Sequence, residues 1–236
     1  MYSHKWVPAS LLAVLFAMQS AVSNAEPRIG TAASTRPNAE ALSGGSTQTL
    51  STGSEIYANQ TVRTGNRGNA DLVFIDNTNL TVGPTSEVRL DKFVYDPTGS
   101  SGSVVMNATR GAFRFATGSQ AKPAYRFDTP HGSLGVRGTK VEVAVSTNPR
   151  DECATKVRLI EGEANFTVAK TGKVARLTQP YTCACISQRG DITYSVCPES
   201  LVEFSEETPA PPFIPGGAIS PITAPCVSPT TPNCGI

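Results

Sequence analysis

From Ala70 to Val168 the large apolar residues recur at every second position. Ala70, Leu72 and Phe74 do so, as do Phe113 with Phe115, Tyr125 with Phe127, Val141 with Val143 and Val145, Val157 with Leu159, and Ala164 with Phe166 and Val168. Between them stand mostly polar side chains: Asp71, Arg114, Arg126, Arg158, Glu163, Asn165 and Thr167. Successive side chains of a strand point to opposite faces, so this pattern predicts sheets with one buried and one wet face. No window longer than about ten residues carries a helical apolar period, and the chain is read as all-β.

Turn signals separate these segments. Asp76-Asn77, Gly83-Pro84, Asp96-Pro97, Gly118, Asn148-Pro149, Gly162, Gly172 and Gly190 punctuate the alternation, as a sandwich, barrel or solenoid requires. Between Leu90 and Phe93 the phase slips, which predicts a bulge near Asp91 and Lys92 that returns Phe93 and Tyr95 to the buried side. A faint likeness links Arg110-Gly111-Ala112-Phe113-Arg114-Phe115 to Glu161-Gly162-Glu163-Ala164-Asn165-Phe166 and tilts the choice toward stacked, coil-like strands.

The densest turn chemistry lies in Phe127-Asp128-Thr129-Pro130-His131-Gly132-Ser133-Leu134-Gly135-Val136-Arg137-Gly138-Thr139. Pro130 closes one extended segment, and Gly132, Gly135 and Gly138 are expected where a Cβ would clash. Asp76, Pro130, Gly135, Gly138 and Thr139 are therefore read as structural. Arg137 has two readings: a guanidinium fork tying the corner to backbone carbonyls or to Asp128 or Asp76, or a ligand contact. His131 has two as well, a turn residue with local hydrogen bonds or a binding residue.

The N-terminus has the form of a Sec-type signal peptide: Lys5, an apolar run from Val7 to Met18, and small residues at Ser23-Asn24-Ala25. The run is short of the roughly 18 residues that span a bilayer, so cleavage after residue 25 and no transmembrane anchor are expected. The mature chain would be periplasmic or secreted. Without Lys5 it carries 19 basic and 19 acidic residues, a balance that does not favour nucleic acid. Residues 26–51, poor in large apolar residues, read as a flexible leader; 52–196 form the β domain, and 197–236 a tail with eight prolines beyond Glu203.

All six cysteines, Cys153, Cys183, Cys185, Cys197, Cys226 and Cys234, follow position 150, and an even count in an exported chain favours disulfides over a metal site. Cys183 and Cys185 are too close in an extended run to pair with each other, so each is assigned a different partner from Cys153 and Cys197, leaving Cys226 with Cys234. No metal or other cofactor is expected. His131 is the one histidine left after His4 departs, too few for a multi-histidine site, and no Gly-x-Ser-x-Gly elbow accompanies it. Glu142 with Glu161 or Glu163 would make a carboxylate pair, but a solvated outer face accounts for each. The glycine-rich stretch lacks the Gly-Lys-Ser/Thr ending of a phosphate loop.

Several of these segments, taken in order, resemble the FecR domain of bacterial envelope proteins. The resemblance rests on Val62-Arg63-Thr64-Gly65, Ala70 to Thr78, Leu80-Thr81-Val82-Gly83, Ser86 to Leu90, Arg110 to Phe115, Thr129 to Thr139 and Val157 to Gly162, with core motifs across 52–168. Asn77 stands where the family usually has glycine, and asparagine tolerates the same left-handed turn. The resemblance implies a twisted solenoid-like or sandwich-like all-β domain outside the inner membrane, which in well-known members passes a signal from an iron-siderophore receptor to a sigma factor. With a signal peptide expected in its place, the cytoplasmic sigma-binding segment is not expected here. The expectation is a non-catalytic recognition, signalling or scaffolding domain that binds another envelope protein; the alternative is a module for cell-wall glycan, other polysaccharide or an iron chelate.

Overall fold

The computed structural model describes residues 26–96, 102–119, 125–197 and 199–201. The expected signal peptide, the Cys226 to Cys234 bridge and nearly all of the proline-rich tail lie outside them. The chain divides into two units, Met1–Glu203 and Phe204–Ile236, and the description below concerns the first.

Among the described residues there are fifteen strands and no helix. They are β1 (Arg28–Arg36), β2 (Ala39–Ser43), β3 (Ser46–Thr49), β4 (Glu55–Tyr57), β5 (Thr61–Thr64), β6 (Asn69–Phe74), β7 (Asn79–Val82), β8 (Glu87–Val94), β9 (Ser103–Ala116), β10 (Tyr125–Thr129), β11 (Gly132–Val145), β12 (Thr155–Val168), β13 (Val174–Leu177), β14 (Thr182–Ile186) and β15 (Ile192–Val196). Nearly every pairing is antiparallel; β9 and β10 run parallel.

Three long strands are each shared between two layers. The first layer runs β3, β2, β5, β8, the first half of β9, β10, the first half of β11, the second half of β12, then β13. The second runs β4, β1, β6, β7, the second half of β9, the second half of β11, the first half of β12, β14 and β15. The strands change layer at Gly111, Gly138 and Gly162, whose φ values of 100°, 58° and 81° are left-handed conformations that suit glycine. A Cβ on Gly111 would run into Ser86, and one on Gly162 into the Gly138 carbonyl. The faint internal likeness in the sequence thus marks two equivalent crossings, Gly111 and Gly162.

Apolar faces of the two layers meet in one core. Phe74 of β6 stacks on Phe93 of β8 with ring centroids 5.5 Å apart, and Phe113 and Phe115 of β9 meet Phe127 and Tyr125 of β10. Every apolar residue of the alternating pattern named above is buried. The architecture is the expected all-β one, sandwich-like, with strands running through both layers.

Three expectations are corrected. Residues 26–51 are not a flexible leader. β1 fills the position between β4 and β6, burying Ile29 and Ala32, and β2 buries Ala39 and Ala41. Small residues are required there: a Cβ on Gly30 would stand 2.6 Å from the Val73 carbonyl oxygen. The bulge does fall between Arg89 and Lys92, but beyond it only Phe93 packs against the core, while Tyr95, just past the end of β8 at Val94, is exposed. Gly135 is not a steric necessity. It lies mid-strand, and a Cβ there would meet nothing nearer than the Asn165 carbonyl oxygen at 3.9 Å.

Candidate functional site

The turn residues of the sequence lie in three places. At the first, Asp76 is buried and accepts hydrogen bonds from the Thr78 N–H (2.9 Å), the Thr78 hydroxyl (2.8 Å) and the Tyr125 hydroxyl (2.9 Å). This closes the β6 to β7 turn, with Asn77 at φ 64°, and ties it to β10 of the other layer. At the second, Thr139 anchors the crossing of β11: its N–H donates to the Thr117 hydroxyl (3.0 Å) and its hydroxyl to the Glu163 carbonyl (2.6 Å). Arg137, beside Gly138, pairs in register with Glu163; its side chain lies outside the described residues.

Pro130 and His131 form the two-residue link between β10 and β11, since Thr129 pairs with Gly132. The His131 ring nitrogen Nδ1 lies 2.9 Å from the Thr155 hydroxyl, a contact beyond the local turn, and its carbonyl accepts from the Ala169 N–H. Burial lowers its basicity, with a hydrogen bond to Gln188 opposing. Beside it is a small depression of about 290 Å³ lined by Pro130, Val168, Lys170 and Gln188 among others. Asp128 instead accepts from Arg126 and Ser133.

The most constrained polar group is Glu142, and its burial corrects the expectation of a solvated face. Its side chain is 0 % exposed, although it points away from the core. In register it stands between Arg114 of β9 and Arg158 of β12. Arg114 donates to Oε1 through Nε (3.1 Å) and Nη2 (2.9 Å), and Arg158 donates to Oε2 through Nη1 (3.2 Å). The remaining cover comes from far along the chain: the Ser200 hydroxyl reaches Oε1 at 2.8 Å and the Leu201 N–H reaches Oε2 at 2.9 Å. Burial works against the charge. The Leu201 N–H, the Ser200 hydroxyl and Arg114 together outweigh it and hold the carboxyl below the usual carboxylate range. Glu161 and Glu163, by contrast, are exposed.

The segment that covers Glu142 is positioned by a disulfide. Cys183 pairs with Arg158 across β14 and β12, and bonds to Cys197. The Cys197 N–H donates to the Tyr181 carbonyl (2.7 Å), while its own carbonyl accepts from Arg158 Nε (2.8 Å). The Arg158 guanidinium lies over the Tyr181 ring, 5.3 Å from its centroid. Arg158 thus meets an acid, a carbonyl and a ring. The second bridge, Cys153 to Cys185, closes 32 residues and fixes the loop before β12 to β14. Each of Cys183 and Cys185 has taken a different partner, as expected. Cys226 and Cys234 lie outside the described residues.

The Glu142 cluster belongs to a polar row across the outer face of the second layer: Ser34, Asp71, Thr81, Arg114, Glu142, Arg158 and Cys183 follow one another in register. Asp71 accepts from the Ser34 and Thr81 hydroxyls. Beside that row lies a second, Ala112, Ala144, Lys156 and Cys185, of which Ala112 and Ala144 floor a groove of about 550 Å³ that Lys156 also lines. Nothing in the sequence pattern alone identified this groove, because its walls, Thr85, Arg110, the 146–151 loop and Leu201, come from four separate segments. Among the described residues no cluster of His, Cys, Asp or Glu is arranged to hold a metal, and no helix is long and apolar enough to cross a membrane.

Against known proteins, residues 60–165 match the family model described as FecR protein. No curated protein matches. Two crystal structures of a protein from Parabacteroides distasonis ATCC 8503, provisionally described as an anti-sigma factor, align at 16% identity with TM-scores of 0.46 and 0.47, covering 58% of this chain. The chain spans 59% of the length of that protein.

Proposed function

With a FecR domain across residues 60–165 as the premise, we propose that this chain is a non-catalytic regulatory protein of the bacterial envelope that recognises another exported protein. The family match carries this reading. Two disulfides support an oxidising compartment, in keeping with an export signal in residues 1–25. The rigid framework supports recognition by fixed surfaces: three strands shared between layers leave loops and outer faces as the variable parts. The Glu142 cluster is in this reading a structural clamp, its acid satisfied from four sides and closed to a substrate.

The test is photo-cross-linking in the envelope of a producing bacterium, with benzoylphenylalanine placed at exposed Arg150 or Tyr194. The expected result is a discrete adduct with an exported protein. Absence of any adduct, or turnover of esters or glycosides that His131→Ala or Glu161→Gln abolishes, would sink the proposal.

A further inference from the structure

We infer that the groove between Arg110 and Lys156 is a binding site for an extended acidic segment of the partner protein. This rests on the protein-recognition reading above and names the surface and the chemistry it would use.

The groove is built rather than incidental. Its floor consists of Ala112 and Ala144, neighbours in register on β9 and β11, so backbone lies close to the surface and leaves room for another chain. One wall is the loop from Ser146 to Asp151, closed on itself: Asp151 accepts from the Ser146 hydroxyl and the Asn148 side-chain amide, and the Arg150 N–H donates to Asn148. The Cys153 to Cys185 bridge ties that loop to β14. Leu201 forms the facing wall, held by its N–H on Glu142 and by the Cys183 to Cys197 bridge behind it. Both disulfides therefore shape the same groove.

Its lining carries two cations and one acid. Lys156 lines it with no carboxylate partner among the described residues, and the single acid in the lining, Asp151, is consumed within its own loop. Arg110 shares Glu87 with Arg63, two guanidiniums on one carboxylate, and its Nε is buried without a hydrogen-bond partner among the described residues. Next to the groove the Glu142 cluster repeats that ratio with Arg114 and Arg158. A carboxylate-bearing chain laid along this floor meets the cations Arg110 and Lys156, with Asp151 the one acid of the lining and turned to donors of its own loop.

Backbone strain marks the same place. Thr85, which lines the groove, has φ 53°, a left-handed conformation that a β-branched residue rarely adopts. It is held there by its N–H on the Gly65 carbonyl (2.9 Å) and by Thr64, whose hydroxyl spans Gly83 and Ser86. Strained non-glycine residues persist where the surrounding structure over-determines them, and they cluster at ligand clamps.

The probe is fluorescein-labelled hexaglutamate, titrated into the oxidised full chain and followed by anisotropy, with hexaglutamine as the neutral control. Saturable binding of hexaglutamate alone is expected, weakened about tenfold or more by Lys156→Glu and less by Lys156→Gln, with melting temperatures unchanged. Lys173→Glu, a charge reversal at an exposed site outside the groove, is expected to leave it intact. Equal binding of hexaglutamine, equal loss in Lys173→Glu, or displacement by free glutarate at the peptide's own concentration overturns the proposal. Undiminished cross-linking of the exported partner to Lys156→Glu also overturns it while leaving the regulatory reading in place. Absence of any partner for the wild-type chain defeats the regulatory reading, and with it the partner segment assigned here.

Discussion

The Leu201 N–H donates to the Glu142 carboxylate at 2.9 Å across 59 residues of chain. That bond places the last described turn of the protein over an acid in the second half of β11, flanked by two arginines. Removing the acid should be costly. Glu142→Ala leaves Arg158, 6 % exposed, without its counter-charge, and a loss of about 3 kcal/mol or more is expected in urea unfolding. Glu142→Gln keeps the shape and part of the hydrogen bonding and should lose less. Equal stability of wild type and Glu142→Ala would show that the cluster is not a clamp.

Acid should loosen the same clamp. Glu142 is held below its unfolded value of about 4.3, so its stabilisation is complete above that pH and is lost as pH falls through the folded value. His131, whose basicity burial lowers, adds an earlier step: stability is full above about pH 6.5 and declines below it as the unfolded chain takes the proton first. Melting temperature followed from pH 8 to pH 3 (~0.5-unit steps) should therefore fall in two stages. Glu142→Gln should flatten the lower stage and His131→Asn the upper; a profile unchanged by either variant contradicts the assignment.

The two disulfides should differ in what they hold. They close 32 and 14 residues, worth about 4 and about 3 kcal/mol in the chain-entropy model. Replacing Cys183 and Cys197 together by alanine should in addition free Ser200 and Leu201 from Glu142. Hydrogen exchange at the Leu201 amide reads this directly: fast exchange in the double variant, slow exchange when Cys153 and Cys185 are replaced instead.

Two of the layer crossings, Gly111 and Gly162, admit no side chain. Gly162→Ala forces a Cβ against the Gly138 carbonyl at φ 81°, and Gly111→Ala one against Ser86 at φ 100°. Each should destabilise by more than about 1 kcal/mol in denaturant titration. Gly135→Ala, in open space on β11, should be neutral within about 0.5 kcal/mol.

Much of this fold is legible as alternation. Phe113 with Phe115 and Val141 with Val143 declare their buried face because the period of a strand is fixed by its pleat. The bulge after Arg89 shows in the lost phase, and Asn77 shows its turn through its tolerance of left-handed backbone. The small residues of β1 carry no such signal: Gly30 and Ala32 fit because Val73 and its neighbours leave little room, a fact of packing and not of composition. The burial of Glu142 is hidden for a similar reason. Its neighbours Val141 and Val143 set its face correctly, but what covers that face arrives from Cys197 to Leu201, brought there by a disulfide. Arg114 and Arg158 stand at the matching phase of their own strands, and that coincidence was the available hint.

Because β9, β11 and β12 each run through both layers, the two sheets have backbone in common and cannot slide over one another without tearing strands. Shear, the ordinary way in which stacked sheets relay a displacement, is mechanically blocked in this domain. On the regulatory reading proposed above, a signal received on one face would leave by the parts not woven into both, namely the edge strands, the bridging loops and the disulfide-anchored stretch that includes Leu201.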